Sequence, residues 1–293
     1  MNAIETNHLT KFYGSARGIE DLELTVEQGD FFGFIGPNGA GKSTTIRTLL
    51  GLISPTSGDA KVLGLDIRKD KTEILTRVGY LPSEITFYPG MKVKDVLRLS
   101  AGLRRQNCDR EAEALCRRLQ LDQSRRVEDL SLGNRKKVGI VCALQHDPEL
   151  LILDEATSGL DPLMQREFFE ILKERNQAGV TVFLSSHVLS EIQHHCNRAA
   201  IIRGGRIVNS GAVSQLAQSS ARRVQLRGKA DLTGLPGIRD LSQSAEGASF
   251  LYSGEPQALL QTLARGTVRD LTIAEPDLEE IFLHYYEKEG EEK

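Results

Sequence analysis

A glycine-rich segment has the residue types and spacing that hold a polyphosphate. Residues 36–43 are GPNGAGKS and fit the pattern GxxxxGK[ST]. Glycines let successive backbone N–H groups approach phosphate oxygens, and the N-terminus of the following helix adds positive partial charge. In this pattern Lys42 reaches the β- and γ-phosphates and Ser43 ligates Mg²⁺. The residues predicted to bind these phosphates are Gly36, Pro37, Asn38, Gly39, Ala40, Gly41, Lys42, Ser43 and Thr44.

Two carboxylates follow a second apolar run. The segment LLIL at 150–153 is followed directly by Asp154 and Glu155. Ligands of open α/β sheets bind at the C-terminal ends of the strands. Asp154 is therefore predicted to hold Mg²⁺ through water, and Glu155 to polarise the attacking water. Without the phosphate loop, capping of a helix would be the default interpretation of these acids.

The elements that position these residues alternate between strand and helix. FFGFIG enters the glycine loop and TTIRTLL leaves it, and VTVFL at 180–184 is a third apolar run. Continuously apolar runs are typical of strands in a parallel sheet that helices cover on both faces. Asp161-Pro162 predicts an N-cap and the first position of a helix that runs to about Asn176. The pattern predicts an α/β fold.

Composition and charge exclude several classes of protein. The chain has 293 residues, 40% of them hydrophobic, with 37 basic and 40 acidic side chains and a net charge of −3. This balance predicts a folded chain with no general attraction for nucleic acid. No apolar run approaches the roughly 18 residues of a membrane span, and the first residues resemble no secretion signal. The four cysteines form no CxxC pair and are predicted to be small core residues of a cytosolic protein.

A third motif, LSLGN at 130–134, resembles the LSGGQ signature of the ATP-binding subunits of ATP-binding cassette (ABC) transporters. The resemblance covers about residues 2–215. It implies that Ser131 and Gly133 contact the γ-phosphate of an ATP held by the opposite subunit, at a helix N-terminus. The same residues also fit an ordinary helix start capped by Ser131. Leu132 and Asn134 depart from the family pattern, so the resemblance leaves a weakened or asymmetric site open.

Other positions match the family in order along the chain. Residues 158–161, SGLD, resemble the D-loop that couples the two sites of the dimer, and they place Asp161 among the ATP-binding residues. His187 resembles the switch histidine that contacts the γ-phosphate and orients the catalytic water. Tyr13 matches the aromatic residue that stacks on adenine. The resemblance therefore implies that Glu155 and His187 are catalytic and that Ser43 and Asp154 hold the metal.

The clearest departure lies in VGYLPSE. The family has glutamine after the proline, where it senses Mg²⁺, whereas this chain has Ser83 followed by Glu84. Ser83 would reach the metal through water, and Glu84 could substitute if the loop turns differently; the sequence leaves both open. The next segment resembles the one that faces the membrane subunit, with Phe87, Tyr88 and Met91 either as exposed anchors or as core residues.

The amino-acid composition changes in the C-terminal part, where serine and glutamine cluster, and this change suggests a boundary near 215–222. We expect an ATP-binding domain over 1–215 and a small α+β accessory domain over 222–293, closed by an amphipathic helix with a charged tail. His194 and His195 lie together on a predicted helix without a carboxylate or cysteine at ligand spacing, so we interpret them as surface histidines.

The resemblance implies a P-loop NTPase fold, with a parallel core sheet, an antiparallel β subdomain and a helical subdomain. It further implies a homodimer or heterodimer that sandwiches two ATP molecules with Mg²⁺ and powers an ABC-2-type exporter from the cytoplasmic face of the membrane. The alternatives are a non-transport ABC ATPase and a degenerate subunit that holds ATP without hydrolysing it. The transported substrate is chosen by the membrane subunits in this family and is not readable from this chain.

Overall fold

A computed structural model describes residues 1–216, 222–244 and 246–274. The chain divides into two compact units between Gly211 and Ala212. Across the described ranges, no helix combines the length and the apolar character needed to cross a bilayer.

The first unit contains both the predicted strands and the predicted helices. Its strands are β1 (Asn2–Tyr13), β2 (Ala16–Leu22), β3 (Thr25–Glu27), β4 (Phe31–Ile35), β5 (Ser57–Val62), β6 (Leu65–Asp66), β7 (Val78–Leu81), β8 (Leu150–Asp154), β9 (Thr181–Ser186), β10 (Arg198–Arg203) and β11 (Arg206–Ala212). Its helices are α1 (Lys42–Leu49), α2 (Lys71–Arg77), α3 (Val93–Leu103), α4 (Asp109–Arg118), α5 (Leu132–Leu144), α6 (Pro162–Gln177) and α7 (Leu189–His195), with a 3₁₀ turn at Val127–Asp129.

The central sheet confirms the prediction of buried parallel strands. Its order is β11-β10-β4-β9-β8-β7, and the pairs from β10 to β7 are parallel. Every residue of β4, β8 and β9 is buried. Phe183 stacks on Phe32, with ring centroids 5.9 Å apart, and lies 5.3 Å from Phe34. Because these strands are parallel, the residues that follow β4, β8 and β9 meet at one edge of the sheet.

A second, antiparallel sheet carries the N-terminal strands. Its order is β2-β1-β5-β6, and β3 pairs with β1. A two-residue turn, Gly14-Ser15, joins β1 to β2 and sets Tyr13 opposite Ala16. Tyr13 therefore stands at the end of a hairpin, which is an element that local hydrophobic patterning alone does not reveal.

Helices α3, α4 and α5 form the helical part of this unit, and α5 packs against both α3 and β7. Helix α4, which ends at Arg118, is amphipathic. The residues of its apolar stripe, all buried, are Ala112, Leu115, Cys116 and Leu119. The parallel core, the antiparallel sheet and this helical part are the three components predicted for the fold.

The second unit is an antiparallel sheet with a helix. It contains α8 (Val213–Leu216), β12 (Arg222–Lys229), β13 (Ile238–Gln243), β14 (Gly247–Tyr252), α9 (Pro256–Ala264) and β15 (Thr267–Ala274), with strand order β13-β14-β12-β15. Val224 and Leu226 of β12 pack with Phe250 of β14 and with Leu259 and Leu263 of α9. The predicted C-terminal amphipathic helix lies outside the described residues.

The cysteines behave as small apolar side chains. Cys108, Cys116 and Cys196 are buried, Cys142 is partly buried, and none of the four forms a disulfide. Burial raises the pKa of Cys116 to about 11, which keeps its thiol protonated at neutral pH. The pair of adjacent histidines is split: His194 is exposed as expected, whereas His195 is half-buried with its ring stacked on Phe169 at 3.8 Å.

Candidate functional site

The glycine loop lies between β4 and α1 and owes its shape to specific glycines. Gly39 and Gly41 have φ angles of +80° and +111°, which favour residues without a side chain. A Cβ on Gly41 would also lie 2.8 Å from the carbonyl oxygen of Gly18. Both the backbone conformation and the close approach of Gly18 therefore require glycine at position 41, immediately before the helix N-terminus.

Lys42 is buried inside this loop, with 5% of its surface exposed. Its Nζ atom donates to the carbonyl oxygens of Gly36 at 2.6 Å and Pro37 at 3.2 Å. The same atom lies 3.2 Å from Oε1 of Glu155. A buried ammonium group needs such partners, and these contacts fix its position beneath the loop.

Asp154 is held from two sides at the end of β8. Its Oδ2 accepts a hydrogen bond from the Ser43 hydroxyl at 2.7 Å, and its Oδ1 accepts one from the Ser185 hydroxyl at 2.9 Å. Only 1% of its surface is exposed. A hydroxyl and a carboxylate within hydrogen-bonding distance of each other are the hard oxygen donors that Mg²⁺ prefers. Ser43 and Asp154 therefore fit the metal site expected from the sequence.

Glu155 occupies a strained turn directly after β8. Its φ angle is +49°, a region that non-glycine residues rarely adopt, and its backbone N–H donates to the Ser185 carbonyl at 3.0 Å. This turn directs the side chain between two partners. Oε1 faces Lys42 at 3.2 Å and Oε2 lies 2.5 Å from Nδ1 of His187. The carboxylate of Glu155, which the sequence predicts to be catalytic, is thus in contact with both Lys42 and His187.

A cavity of about 290 Å³ opens over this loop. Tyr13, 47% exposed, stands on its wall, with Nζ of Lys11 5.3 Å from the ring centroid. The lining residues are Tyr13, Arg17, Gly18, Pro37, Asn38, Gly39, Gly41, Lys42, Ser43, Thr44, Ser83 and Glu155. A larger groove of about 700 Å³ lies beside the antiparallel sheet, but its described lining contains no residue of the phosphate loop. The smaller cavity is therefore the candidate nucleotide site, because residues of the phosphate loop line it.

Ser83 lines the cavity and is hydrogen-bonded to Lys136 of α5, a residue that no sequence motif indicated. Lys136, 3% exposed, donates from Nζ to the carbonyl oxygens of Ser83 at 3.1 Å and Pro82 at 3.3 Å. Burial lowers the pKa of Lys136, while the carboxylates of Asp154 and Glu155 act in the opposite direction. Glu84, the proposed substitute for the family glutamine, is exposed to solvent and does not belong to the described lining.

Seven predicted residues lie outside the described lining of this cavity, namely Gly36, Ala40, Ser131, Gly133, Asp154, Asp161 and His187. Ser131 caps α5 by accepting from the backbone N–H of Asn134 at 3.3 Å. Asp161 caps α6 by accepting from the backbone N–H of Met164 at 3.0 Å, as its Asp-Pro sequence predicts. A Cβ on Gly133 would lie 2.6 Å from the Gly159 carbonyl oxygen, so the start of α5 is in close contact with the loop that precedes α6. Contact of Ser131, Gly133 and Asp161 with ATP remains a prediction.

The structure adds residues to the site that the motifs did not indicate. Ser185 positions Asp154, and Arg17 and Gly18 line the cavity beside Tyr13. Only the Gly-Ser turn after Tyr13 could have indicated the last two, because it predicts a hairpin that returns the chain past the tyrosine. Ser185 depends on the order of strands in the sheet, which the sequence does not specify.

A glycine loop with a buried lysine, a Ser–Asp pair and a Glu–His pair at one end of a parallel sheet define a P-loop nucleoside triphosphatase. Residues 19–158 match the family model for the ABC transporter. The chain is 43% identical over 212 residues to the bacitracin transport ATP-binding protein BcrA of Bacillus licheniformis. The aligned region covers 70% of this chain and 68% of that protein.

Further similarities cover between 74% and 96% of the chain. The Nod factor export ATP-binding protein I of Cupriavidus pinatubonensis is 35% identical over 292 residues, covering 96% of this chain and 89% of that protein. The solved structure of an ATP binding subunit of an ABC transporter superposes with a TM-score of 0.70 at 29% identity, covering 74% of this chain and 92% of that one. The chain belongs to the ABC transporter family, as an ATP-binding subunit. The family and fold predictions are confirmed.

Proposed function

We propose that this chain powers export through a separate ABC-2-type permease, acting at the cytoplasmic face of the membrane. The observation that carries the ATPase part is the position of Glu155, between Lys42 at 3.2 Å and His187 at 2.5 Å, on the wall of the 290 Å³ cavity. Export is supported by relatives named for bacitracin transport and Nod factor export.

In this proposal each residue has a separate role in hydrolysis. The loop N–H groups and Lys42 bind the phosphates, and Tyr13 stacks on adenine. Glu155 accepts the proton of the attacking water, and His187 orients the carboxylate and the γ-phosphate. Ser43 and Asp154 would hold Mg²⁺, which neutralises charge on the phosphates when it is bound.

A second copy of the subunit, identical or related, completes each site in this proposal. Ser131 and Gly133 lie at the N-terminus of α5, where backbone N–H groups and the helix dipole attract a phosphate. The contact between Gly133 and Gly159 joins this helix start to the D-loop. Movement of the D-loop on ATP binding would therefore be transmitted to the signature helix of the same subunit.

The segment that precedes α3 provides the candidate contact with the permease. Tyr88 is 74% exposed, whereas Phe87 and Met91 are half-buried, so only Tyr88 is an exposed anchor. An exposed tyrosine contributes large contact area at a low cost in side-chain entropy. We assign Tyr88 to the permease interface and Phe87 and Met91 to its support.

A subunit that binds ATP without hydrolysing it is the second candidate. Leu132 and Asn134 in the signature and Ser83 in place of glutamine favour this alternative. The contacts of Glu155 with Lys42 and His187 favour hydrolysis. ATP turnover separates the two candidates, because only the first requires Glu155 to act on water.

The export proposal predicts that a multi-span membrane protein is encoded beside this chain, and it is tested by recruitment of this chain to membranes that contain that protein. Wild type and Val208→Asp, a change at an exposed residue of β11, are expected to sediment with those membranes, whereas Tyr88→Asp remains in the supernatant. Turnover of ATP by the isolated variants should be unchanged. Equal sedimentation of the wild type with membranes that contain or lack the multi-span protein would contradict the proposal.

A further inference from the structure

Arg17 lies on the wall of the nucleotide cavity, although no motif includes it. It stands in β2 and pairs with Phe12 across the hairpin that ends at Tyr13. Its side chain is 49% exposed. The hairpin therefore brings Arg17 to the wall of the cavity that Tyr13 also lines.

The neighbouring glycine locates this position relative to the phosphate loop. A Cβ on Gly18 would lie 3.0 Å from Cε2 of Tyr13 and 3.0 Å from Cγ2 of Thr44. Gly18 thus sits where the tyrosine ring and the first turn of α1 approach each other. Arg17, the preceding residue of β2, lines the same cavity, and its Nη2 would lie 2.9 Å from a Cβ on Gly204.

The charge of Arg17 is only weakly compensated by its nearest acid. Glu20 lies 3.6 Å from Nη1 of Arg17 but 2.9 Å from Nη2 of Arg206. The hydrogen bond from Arg206 is also the largest of the effects that lower the pKa of Glu20. Glu20 therefore compensates Arg206 first, whereas Lys42 has Glu155 at 3.2 Å as well as two carbonyl oxygens.

We propose that Arg17 binds the nucleotide through its α- and β-phosphates, from the adenine side of the cavity. The inference rests on the proposed placement of adenine at Tyr13 and of the phosphates at Lys42. Guanidinium groups donate paired hydrogen bonds to phosphate oxygens, and such charge-assisted contacts are stronger than neutral ones. Arg17 then contributes to binding of ADP and ATP alike, because both carry these two phosphates.

The test compares dissociation constants for ADP and ATP by calorimetric titration of the full chain. The variants are Arg17→Met, Arg17→Lys and the control Arg68→Met. Arg68 has a similarly exposed side chain, at 46%, but bonds to Asp59 and does not belong to the described cavity lining. Its substitution changes the net charge by the same amount. Thermal unfolding without nucleotide identifies any variant that has lost stability.

Arg17→Met is expected to weaken ADP and ATP binding by about tenfold each, the size of one charge-assisted contact. Arg17→Lys should recover part of the loss as a point charge, and Arg68→Met should bind as the wild type does. Equal affinity of Arg17→Met and wild type would overturn the inference, as would a loss confined to ATP. Failure of the wild type itself to bind nucleotide would instead contradict the proposed function.

Discussion

Nδ1 of His187 lies 2.5 Å from Oε2 of Glu155, joining the residues that follow two neighbouring parallel strands. Glu155 follows β8 and His187 follows β9, and the backbone N–H of Glu155 bonds to Ser185 of β9. The rigid strand pair therefore positions both side chains. Because His187 remains 53% exposed while Glu155 is 17% exposed, the histidine is the member of the pair that faces the solvent side of the site.

Replacing His187 by alanine is expected to lower ATP turnover by about 100-fold, with little change in ATP affinity. The physical reason is that Glu155 loses the partner that orients its second carboxylate oxygen. Phosphate release and equilibrium binding measure the two effects separately. His194→Ala is the matched control, because that exposed histidine bonds to the Ser190 carbonyl within α7. Wild-type turnover in His187→Ala would refute the assignment.

Leu132 stands where the family pattern has glycine and is 66% exposed at the first position of α5. If Ser131 contacts the partner's ATP, this leucine is buried when the dimer closes. Leu132→Ala in a Glu155→Gln background should weaken the ATP-bound dimer about fivefold, as expected for a partly buried side chain. Sedimentation equilibrium measures the change. Leu103→Ala, at another exposed leucine, should dimerise normally, and normal dimers of Leu132→Ala would exclude that role.

Arg118 of α4 connects the helical part to α6. Its guanidinium bonds to Glu167 at 2.7 Å and to both oxygens of Glu174 at 2.5 and 2.9 Å. Arg118→Met should lower the free energy of unfolding by about 1 kcal/mol, a modest value because these groups are partly exposed.

The adjacent Arg117 is the control for this network, because the structure pairs it with Glu113 of its own helix at 3.3 Å. Arg117→Met should cost less than about 0.5 kcal/mol in urea denaturation. The difference between the variants should shrink in about 1 M salt, where exposed charges are screened. Equal stability of both variants at low salt would show that the network contributes nothing.

His146 makes stability depend on pH. Burial lowers its pKa from 6.5 to about 4 in the folded chain, where its Nε2 lies 3.3 Å from the Val78 carbonyl oxygen. The unfolded state therefore binds more protons between these pH values, so this contribution is complete above about pH 6.5 and is lost as the pH falls toward 4.

Comparison with His146→Gln isolates that contribution. Between pH 7.5 and 5 the wild type should lose up to about 2 kcal/mol more unfolding free energy than the variant. Urea denaturation at both pH values measures the difference. Parallel losses in the two proteins would show that protonation of His146 is not coupled to unfolding.

Local sequence patterns predicted much of this fold and site. The phosphate loop, Asp154 and Glu155 were predictable because the glycine spacing and the apolar strand lie within short segments. Asp161-Pro162 correctly predicted the start of α6, and Ser131 the start of α5. These features depend on a few neighbouring residues, so the chain pattern is sufficient to predict them.

The remaining features depend on contacts between distant segments. Arg17 reaches the cavity through a hairpin, Ser185 reaches Asp154 through the strand order, and Lys136 reaches Ser83 across 53 positions. Exposure is also a property of the folded chain, so the sequence alone could not indicate that Tyr88 is exposed and Phe87 is half-buried. The boundary predicted near 215–222 depends on the change in composition along the sequence. The division of the structure after Gly211 depends instead on contacts within each unit, so the two positions differ by a few residues.

In the proposed mechanism, Glu155 acts on water during ATP hydrolysis at this site. ATP turnover and ATP binding, measured side by side for the wild type and Glu155→Gln, test it most directly. The amide keeps the size of the side chain but cannot accept the proton, so turnover should fall by at least about 100-fold while ATP remains bound. Equal turnover in the two proteins would contradict the account.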